Sequence, residues 1–497
     1  MTPGRLVLRA DADVSIGTGH VMRCLALAQA WSDIGGVPIF VMSRGGDLFG
    51  ERLREEGFDV VSLKNGPATA ADASETASLV RDAAAPWLVI DGYQFDSAYL
   101  DQVRERARIL VIDDLGQAAP CADILLNQNP AIRHLTGYQN RDVLWLVGPR
   151  YALLRREFLG APFRRELTAI GTNVLVTLGG ADPPNMAAKI LDALCDGRLQ
   201  QVQATIVVGA ANRHISSLIK TIERSGCAVR LEHNTARMPE LMASADVAVA
   251  AAGSTVWELA FMGVPSILVI IAENQRELAA WLETQGAMIN LGWHAEIEPA
   301  DVAAALADLL VSVDRRRTMT ERCRRLVDGH GSDRVVMHMT GQALRLRPVI
   351  QDDCEMLWQW ANDPETRRAS FEQHAIPWVD HVKWFDKRMR DSASHFYVAV
   401  DLNESAVGQA RFDVAGDEAT ISVSVDPRTR GGGYGSTMIR LATARFLRAA
   451  HARRINAFVK PSNAPSLRAF QKAAFRIFKT TRVDTDEAIN LVLEDPQ

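Results

Sequence analysis

The chain has 497 residues, a formal net charge of −5, 47% hydrophobic residues and 23% charged residues. That length exceeds one ordinary core and predicts roughly three domains. The composition is that of a soluble globular protein, and it excludes disordered, fibrous and broadly cationic nucleic-acid-binding classes. No segment reaches the roughly 18 consecutive apolar residues of a membrane span. Arg9, Asp11 and Asp13 interrupt the first apolar run before a signal peptide could form. The six cysteines (Cys24, Cys121, Cys195, Cys227, Cys323, Cys354) include no C-x-x-C pair. The expectation is a cytoplasmic protein with reduced thiols, no metal and neither a nucleic-acid nor a membrane partner.

Short apolar runs at Leu6–Leu8, Pro38–Met42, Trp87–Ile90, Ile109–Ile112, Ile124–Leu126 and Leu144–Val147 alternate with helical stretches such as His20–Ile34. They predict a mainly parallel sheet with helices on both faces. The pattern restarts at Asn173–Leu178 and continues with strands at Ala204–Val208, Ala228–Leu231, Asp246–Ala250 and Pro265–Ile271. The helical stretch Ala300–Val327 closes this half, and Asp328-Gly329-His330-Gly331-Ser332 is a breaker cluster. From about 345 the chain is richer in Trp, Phe and Arg. There the helices Asp353–Ala361 and Trp378–Met389 precede the strands Phe396–Val400, Val407–Val414 and Ala419–Val425. The fold class expected is α/β, with two doubly wound Rossmann-like lobes (1–160 and 161–335) followed by an α+β domain (345–497).

Five loops at strand carboxyl ends carry the chemistry. In the first, Gly17-Thr18-Gly19-His20 with Arg23 follows the opening strand. Free N–H groups and the positive end of a helix dipole meet an imidazole there, with Asp11 and Asp13 nearby. Ala252-Gly253-Ser254-Thr255-Val256-Trp257-Glu258 pairs a small-residue loop suited to a diphosphate with a carboxylate able to accept both ribose hydroxyls. Ser254 or Thr255 is the expected helix cap. Gly179-Gly180-Ala181-Asp182 and Asn274-Gln275 occupy matching positions, as does Asp91-Gly92-Tyr93 in the first lobe.

Together these residues resemble the UDP-sugar hydrolases of pseudaminic acid biosynthesis, over roughly residues 5–330. Those enzymes act on UDP-2,4-diacetamido-2,4,6-trideoxy-β-L-altropyranose and have the GT-B fold. The resemblance implies that water attacks the anomeric carbon, releasing UDP without a metal. His20 would be the base or water-positioning group, with Asp11 and Tyr93 beside it. Gly253, Ser254 and Thr255 would hold phosphates and Glu258 the ribose, while Gly17, Gly19, Arg23, Gly180, Asp182, Asn274 and Gln275 would complete the substrate site. The first loop then faces the sugar and the second lobe holds UDP.

Val425-Asp426-Pro427-Arg428-Thr429-Arg430-Gly431-Gly432-Gly433-Tyr434-Gly435-Ser436 fits Arg-x-x-Gly-x-Gly between a strand and a helix. Bare N–H groups there can cradle a pyrophosphate. With Asn463 and Ser466 downstream, the stretch resembles the acetyl-CoA site of GNAT N-acetyltransferases. That implies Val425, Arg430, Gly431, Gly433, Gly435, Ser436, Asn463 and Ser466 as its ligands and acetyl-CoA as co-substrate. Leu357–Asp363 and His381–Phe385 resemble the pathway's acetyltransferase of a UDP-linked 4-amino sugar, although the Trp-rich stretch also reads as ordinary core. Phe470 stands where many members carry the tyrosine that protonates CoA thiolate, and it has no proton to give.

The reading is a bifunctional enzyme that N-acetylates a UDP-amino sugar and hydrolyses the UDP-sugar product. Two rivals stand beside it: a GT-B glycosyltransferase using a UDP-sugar, and a nucleotide-sugar-binding module fused to a protein or peptide N-acetyltransferase. Sugar stereochemistry and oligomeric state are not legible in the sequence.

Overall fold

The computed structural model describes residues 3–13, 17–104, 107–115, 122–130, 143–161, 167–209, 211–341, 343–391, 395–449 and 452–494. Two compact units divide the chain, Met1–Ser32 with Gly36–Val335 and Asp33–Gly35 with Val336–Gln497.

The first unit holds two parallel sheets. One contains β1 (Arg5–Ala10), β2 (Val37–Met42), β3 (Asp59–Ser62), β4 (Trp87–Asp91), β5 (Arg108–Ile112), β6 (Ile124–Asn127) and β7 (Leu144–Val147). Its order is β3-β2-β1-β4-β5-β6-β7. The other contains β8 (Asn173–Thr177), β9 (Gln203–Val208), β10 (Val229–His233), β11 (Val247–Ala251), β12 (Ser266–Ile270) and β13 (Met288–Trp293), in the order β10-β9-β8-β11-β12-β13. Every ladder in both sheets is parallel. These are two Rossmann-like lobes of the GT-B arrangement. Strands β4, β11 and β12 are buried along their whole length, which is why they read as unbroken apolar runs. Each sheet reverses direction of winding beside its first strand, at β1/β4 and at β8/β11, so the loops singled out from sequence fall at both switch points. Strands β3 and β13 were not expected; β3 is short and only partly buried, which erases its apolar signal. The helical closing stretch is two helices, Pro299–Val311 and Val313–Leu326, broken at Ser312.

A polar cluster lies beneath the first switch point. Arg9, fully buried in β1, pairs with Asp72 at 2.6 Å and Asp11 at 2.8 Å. Tyr99 donates to Asp72 at 2.9 Å, and Arg9 lies 5.0 Å from the centre of the Phe95 ring. A guanidinium here is tolerated because every charge is matched; removing one partner of such a pair costs about 3–5 kcal/mol.

The second unit is one seven-stranded sheet of β14 (Arg345–Pro348), β15 (His395–Val400), β16 (Ala406–Ala415), β17 (Glu418–Val425), β18 (Arg454–Val459), β19 (Arg476–Val483) and β20 (Asp486–Glu494), in the order β14-β15-β16-β17-β18-β20-β19. All its ladders are antiparallel except β17–β18. That parallel ladder holds for three pairs, Glu418↔Arg454 to Thr420↔Asn456, and then stops. The strands part there, and β17 runs on alone on that side to Val425, from which the chain leads into the glycine-rich turn. The sheet face carrying Ala410, Phe412, Ile421, Ile455 and Leu491 packs on the helix Tyr434–Ala449 through Met438, Ala442 and Phe446.

The cysteines depart from expectation. The Cα atoms of Cys195 and Cys227 are 5.8 Å apart and their sulfurs are bonded. Adjacent packing of the helices Met186–Leu194 and Ile215–Ser225 brings them together, which spacing in sequence does not reveal. Cys24, Cys323 and Cys354 are free thiols, and Cys121 lies outside the described residues. No helix among the described residues is long and apolar enough to cross a membrane.

Candidate functional site

His20 sits in the first turn of the helix Gly19–Asp33, directly after β1. Its Nδ1 lies 2.6 Å from Oδ1 of Asp91, the last residue of β4. Asp91 is fully buried and also receives two bonds from Arg23, Nε to Oδ2 at 3.0 Å and Nη2 to Oδ1 at 2.7 Å. Burial alone would raise this carboxyl, but Arg23 and His20 outweigh it and hold Asp91 below the ordinary carboxylate range. An ionised Asp91 fixes the proton on Nδ1 of His20 and leaves Nε2 as the basic nitrogen. Arg23 reaches on with Nη1 to Asp114 at 2.5 Å. Tyr93, 47% exposed, stands edge-on to the His20 ring with centroids 4.8 Å apart. Its hydroxyl donates to Asp114 at 3.1 Å and accepts from Nδ2 of Asn274 in the other lobe at 2.9 Å.

The two lobes meet at glycines. A Cβ on Gly19 would lie 3.3 Å from Oγ of Ser254, and one on Gly180 would lie 2.6 Å from Cγ2 of Thr18. Gly180 is therefore needed for close approach. Gly17 closes the first loop by donating to the Asp13 carbonyl at 2.9 Å; Val14, Ser15 and Ile16 between them lie outside the described residues. On the second lobe, Gly253 and exposed Ser254 lead into the helix Thr255–Met262. Ser254 makes no capping bond, contrary to expectation, because its own backbone is already helical. The Val256 and Trp257 amides donate to the Gly253 and Ser254 carbonyls, both at 3.1 Å, so the amides of Gly253, Ser254 and Thr255 are the ones that stand ahead of them at the helix N-terminus. Gln275 lies near, its Oε1 accepting from the Ile271 amide at 2.9 Å and its Nε2 3.7 Å from where a Gly253 Cβ would stand. Glu258 receives Nη2 of Arg155 at 3.0 Å. Burial pushes its carboxyl up, against the pull of that guanidinium.

Two expected site residues are otherwise engaged. Asp11, expected beside His20 in catalysis, is fully buried and accepts from the amides of Ser43 at 2.7 Å and Arg44 at 2.9 Å, besides its pair with Arg9. It shapes the loops under the site. Asp182, expected at the substrate, caps a helix by accepting from Met186 at 2.9 Å and Ala187 at 2.9 Å, and its burial raises its carboxyl. Asp114 and Arg155 were missed. Asp113-Asp114 ends a strand like the other loops, and that signal was available; Arg155 follows no strand and had none.

In the second unit the glycine-rich turn leaves β17 at Val425. Gly431 and Gly433 have φ of +82° and +80°, conformations that favour glycine. The helix Tyr434–Ala449 then opens with Gly435 and Ser436, whose hydroxyl donates to the Gly433 carbonyl at 3.3 Å. Arg430 points elsewhere: it pairs with Asp363 at 2.6 Å and Glu365 at 2.7 Å, so a guanidinium expected at acetyl-CoA is committed to carboxylates. Asn463 accepts from the Ser466 amide at 3.2 Å and caps the helix Ala464–Lys472. The Trp-rich stretch is packing. His381 is buried, 3.0 Å from the Cys354 carbonyl and ringed by Trp378, Trp384 and Phe385; burial lowers its imidazole. Phe470 is 3% exposed, edge-on to Phe475 at 5.1 Å. Phe470→Tyr is therefore expected to add no acetyl-transfer activity. Its buried hydroxyl should cost about 1–3 kcal/mol, read by urea unfolding.

Among the described residues no group of three or more His, Cys, Asp or Glu is placed to hold a metal.

Comparison with known proteins places both units. Residues 173–329 match the glycosyltransferase family 28 C-terminal domain, and residues 343–476 match the acetyltransferase (GNAT) domain. The protein MJ1062 of Methanocaldococcus jannaschii is 21% identical over 77% of this chain and 78% of its own length. Spore coat polysaccharide biosynthesis protein SpsG of Bacillus subtilis is 30% identical over 38% of this chain and 56% of its own. The UDP-2,4-diacetamido-2,4,6-trideoxy-beta-L-altropyranose hydrolase of Campylobacter jejuni is 24% identical over 57% of this chain and 97% of its own. The chain thus joins a segment similar to the glycosyltransferase family 28 C-terminal domain to one similar to the GNAT acetyltransferase domain.

Proposed function

We propose that the chain is a bifunctional enzyme of pseudaminic acid biosynthesis, divided at 1–160, 161–335 and 345–497. The first unit hydrolyses UDP-2,4-diacetamido-2,4,6-trideoxy-β-L-altropyranose. The second N-acetylates the C4 amine of the UDP-amino-sugar precursor with acetyl-CoA. The observation that carries the hydrolase reading is the His20–Asp91 pair at 2.6 Å, set across the cleft from the Gly253–Thr255 turn.

In this reading water gives a proton to Nε2 of His20 as its oxygen bonds to the anomeric carbon. The bond from that carbon to the β-phosphate oxygen breaks, and its electron pair leaves with UDP. Asp91 stabilises the imidazolium that forms. Gly253, Ser254 and Thr255 hold the diphosphate at the helix N-terminus. Glu258 takes the ribose hydroxyls after giving up Arg155, so Glu258→Ala should weaken UDP about 10–100-fold by calorimetry, the loss of hydrogen bonds to a charged group. In the second unit, acetyl-CoA lies along the unpaired edge of β17 with its pyrophosphate on residues 431–436. The acceptor amine attacks the thioester carbonyl, and the CoA thiolate departs. Phe470 cannot protonate it, so water or another side chain does.

Mass spectrometry of products from the UDP-4-amino sugar, with and without acetyl-CoA, tests both halves. Acetylated UDP-sugar followed by free diacetamido sugar is expected. The family 28 match favours one rival, a glycosyltransferase; UDP release that requires a sugar acceptor would select it and exclude hydrolysis.

A further inference from the structure

We propose that Asp114 is a positioning residue: the joint of a hydrogen-bonded chain that makes the placement of His20 depend on closure of the nucleotide lobe. The proposal rests on the hydrolase reading for the role of His20, but its geometry stands apart from the sugar. From the base outward the chain runs His20 Nδ1 to Asp91 at 2.6 Å, Asp91 to Arg23 Nη2 at 2.7 Å, Arg23 Nη1 to Asp114 Oδ2 at 2.5 Å, and Asp114 Oδ2 to the Tyr93 hydroxyl at 3.1 Å. It ends at Nδ2 of Asn274, 2.9 Å from that hydroxyl. Every link but the last lies within the first lobe. The last crosses to the residues that follow β12, at the carboxyl end of a strand, where doubly wound sheets bind their ligands.

Charge and burial explain why the chain transmits. Arg23 is buried, and its guanidinium is shared between two carboxylates, Asp91 on one edge and Asp114 on the other. If Asp114 loses its grip, Arg23 has only Asp91 to satisfy it and turns toward that carboxylate, whose Oδ1 also serves His20. The same Asp114 oxygen takes the Tyr93 hydroxyl, so the ring edge-on to His20 is set by the same atom. With the lobes apart, Asn274 leaves and Tyr93 is free to swing. With UDP drawing the lobes together, Tyr93 is caught between Asn274 and Asp114. The consequence is that His20 is held in place to take a proton from water only when the nucleotide lobe is engaged. A chain of ionised and neutral hydrogen bonds of this kind is stiffer than its separate links.

The test uses the full-length protein with UDP as the probe. Amide hydrogen exchange over residues 17–24 and 91–94 is measured with and without UDP, alongside UDP affinity by calorimetry and steady-state UDP release. In the unaltered protein, UDP should slow exchange in both segments. In Asp114→Asn, UDP should still bind within about threefold while the protection at 17–24 disappears, and kcat should fall about 10–100-fold with KM little changed, the signature of a displaced catalytic group. Combining Asp114→Asn with Asn274→Ala should cost kcat no more than the worse single change, since both cut one chain. Tyr93→Phe, on a half-exposed ring that leaves the Arg23–Asp114 pair intact, should lose the same protection without loss of folding. Retained protection in Asp114→Asn and Tyr93→Phe, or additive losses in the double variant, would overturn the proposal. Absence of UDP release by the unaltered protein would instead overturn the hydrolase reading, and the exchange measurement would still decide the coupling.

Discussion

His20→Ala is expected to abolish nearly all UDP release in water, lowering kcat by about 10²–10⁴-fold, the usual worth of a positioned general base. KM for the UDP-sugar should stay within about threefold, because an interaction made only in the transition state leaves ground-state binding alone. Acetyl transfer by the second unit, assayed on the same sample, should be unchanged and so certify the preparation. The structure explains why one imidazole carries so much. Its Nδ1 is fixed by a buried carboxylate, its ring is held by Tyr93, and no second imidazole lies among the partners of Asp91. Undiminished UDP release in the variant would remove His20 from the chemistry.

Asp91→Ala is expected to destabilise the first unit by about 3–5 kcal/mol, because it strands the buried Arg23 guanidinium with one carboxylate in place of two. Activity should fall with it, as His20 loses the group that sets its tautomer. The milder Asp91→Asn separates charge from shape and predicts a pH dependence. Asp91 is held below its unfolded value, so its contribution to stability is present above the ordinary carboxylate range and is lost as pH falls through the lower folded value. The stability gap between the unaltered protein and Asp91→Asn, from urea unfolding, should therefore be full at pH 7 and shrink below about pH 4. Equal stabilities at neutral pH would contradict the ion-pair account.

Much of this site was legible in the sequence because Rossmann-like lobes put their ligands at one place, the carboxyl ends of strands. Gly17, Gly19, His20, Arg23, Tyr93, Gly253, Ser254, Asn274 and Gln275 could each be picked from short loops after apolar runs. They converge because β1/β4 and β8/β11 are the switch points. Residue type is a poorer guide to role than position is. Asp11 and Asp182 sat in the right loops, yet Asp11 is taken up by Arg9, Gln94 and the amides of the turn after β2, and Asp182 by the amides of a helix start. Arg430 fits its motif and is nevertheless drawn to Asp363 and Glu365, which lie more than 60 residues away in the chain.

By itself, then, the sequence determined the class of each sheet, the loops at the strand carboxyl ends and the histidine that stands among them. Continuous apolar strands, glycine turns and a titratable ring near a helix start are local properties, carried by residues within one turn of each other. Only the tertiary structure decided how that histidine is governed. The bonds from His20 to Asp91, from Arg23 to Asp114 and from Tyr93 to Asn274 span 71, 91 and 181 residues. No periodicity or spacing encodes contacts of that range. They exist because two parallel sheets turn the ends of their central strands toward one cleft, where buried charges must find partners.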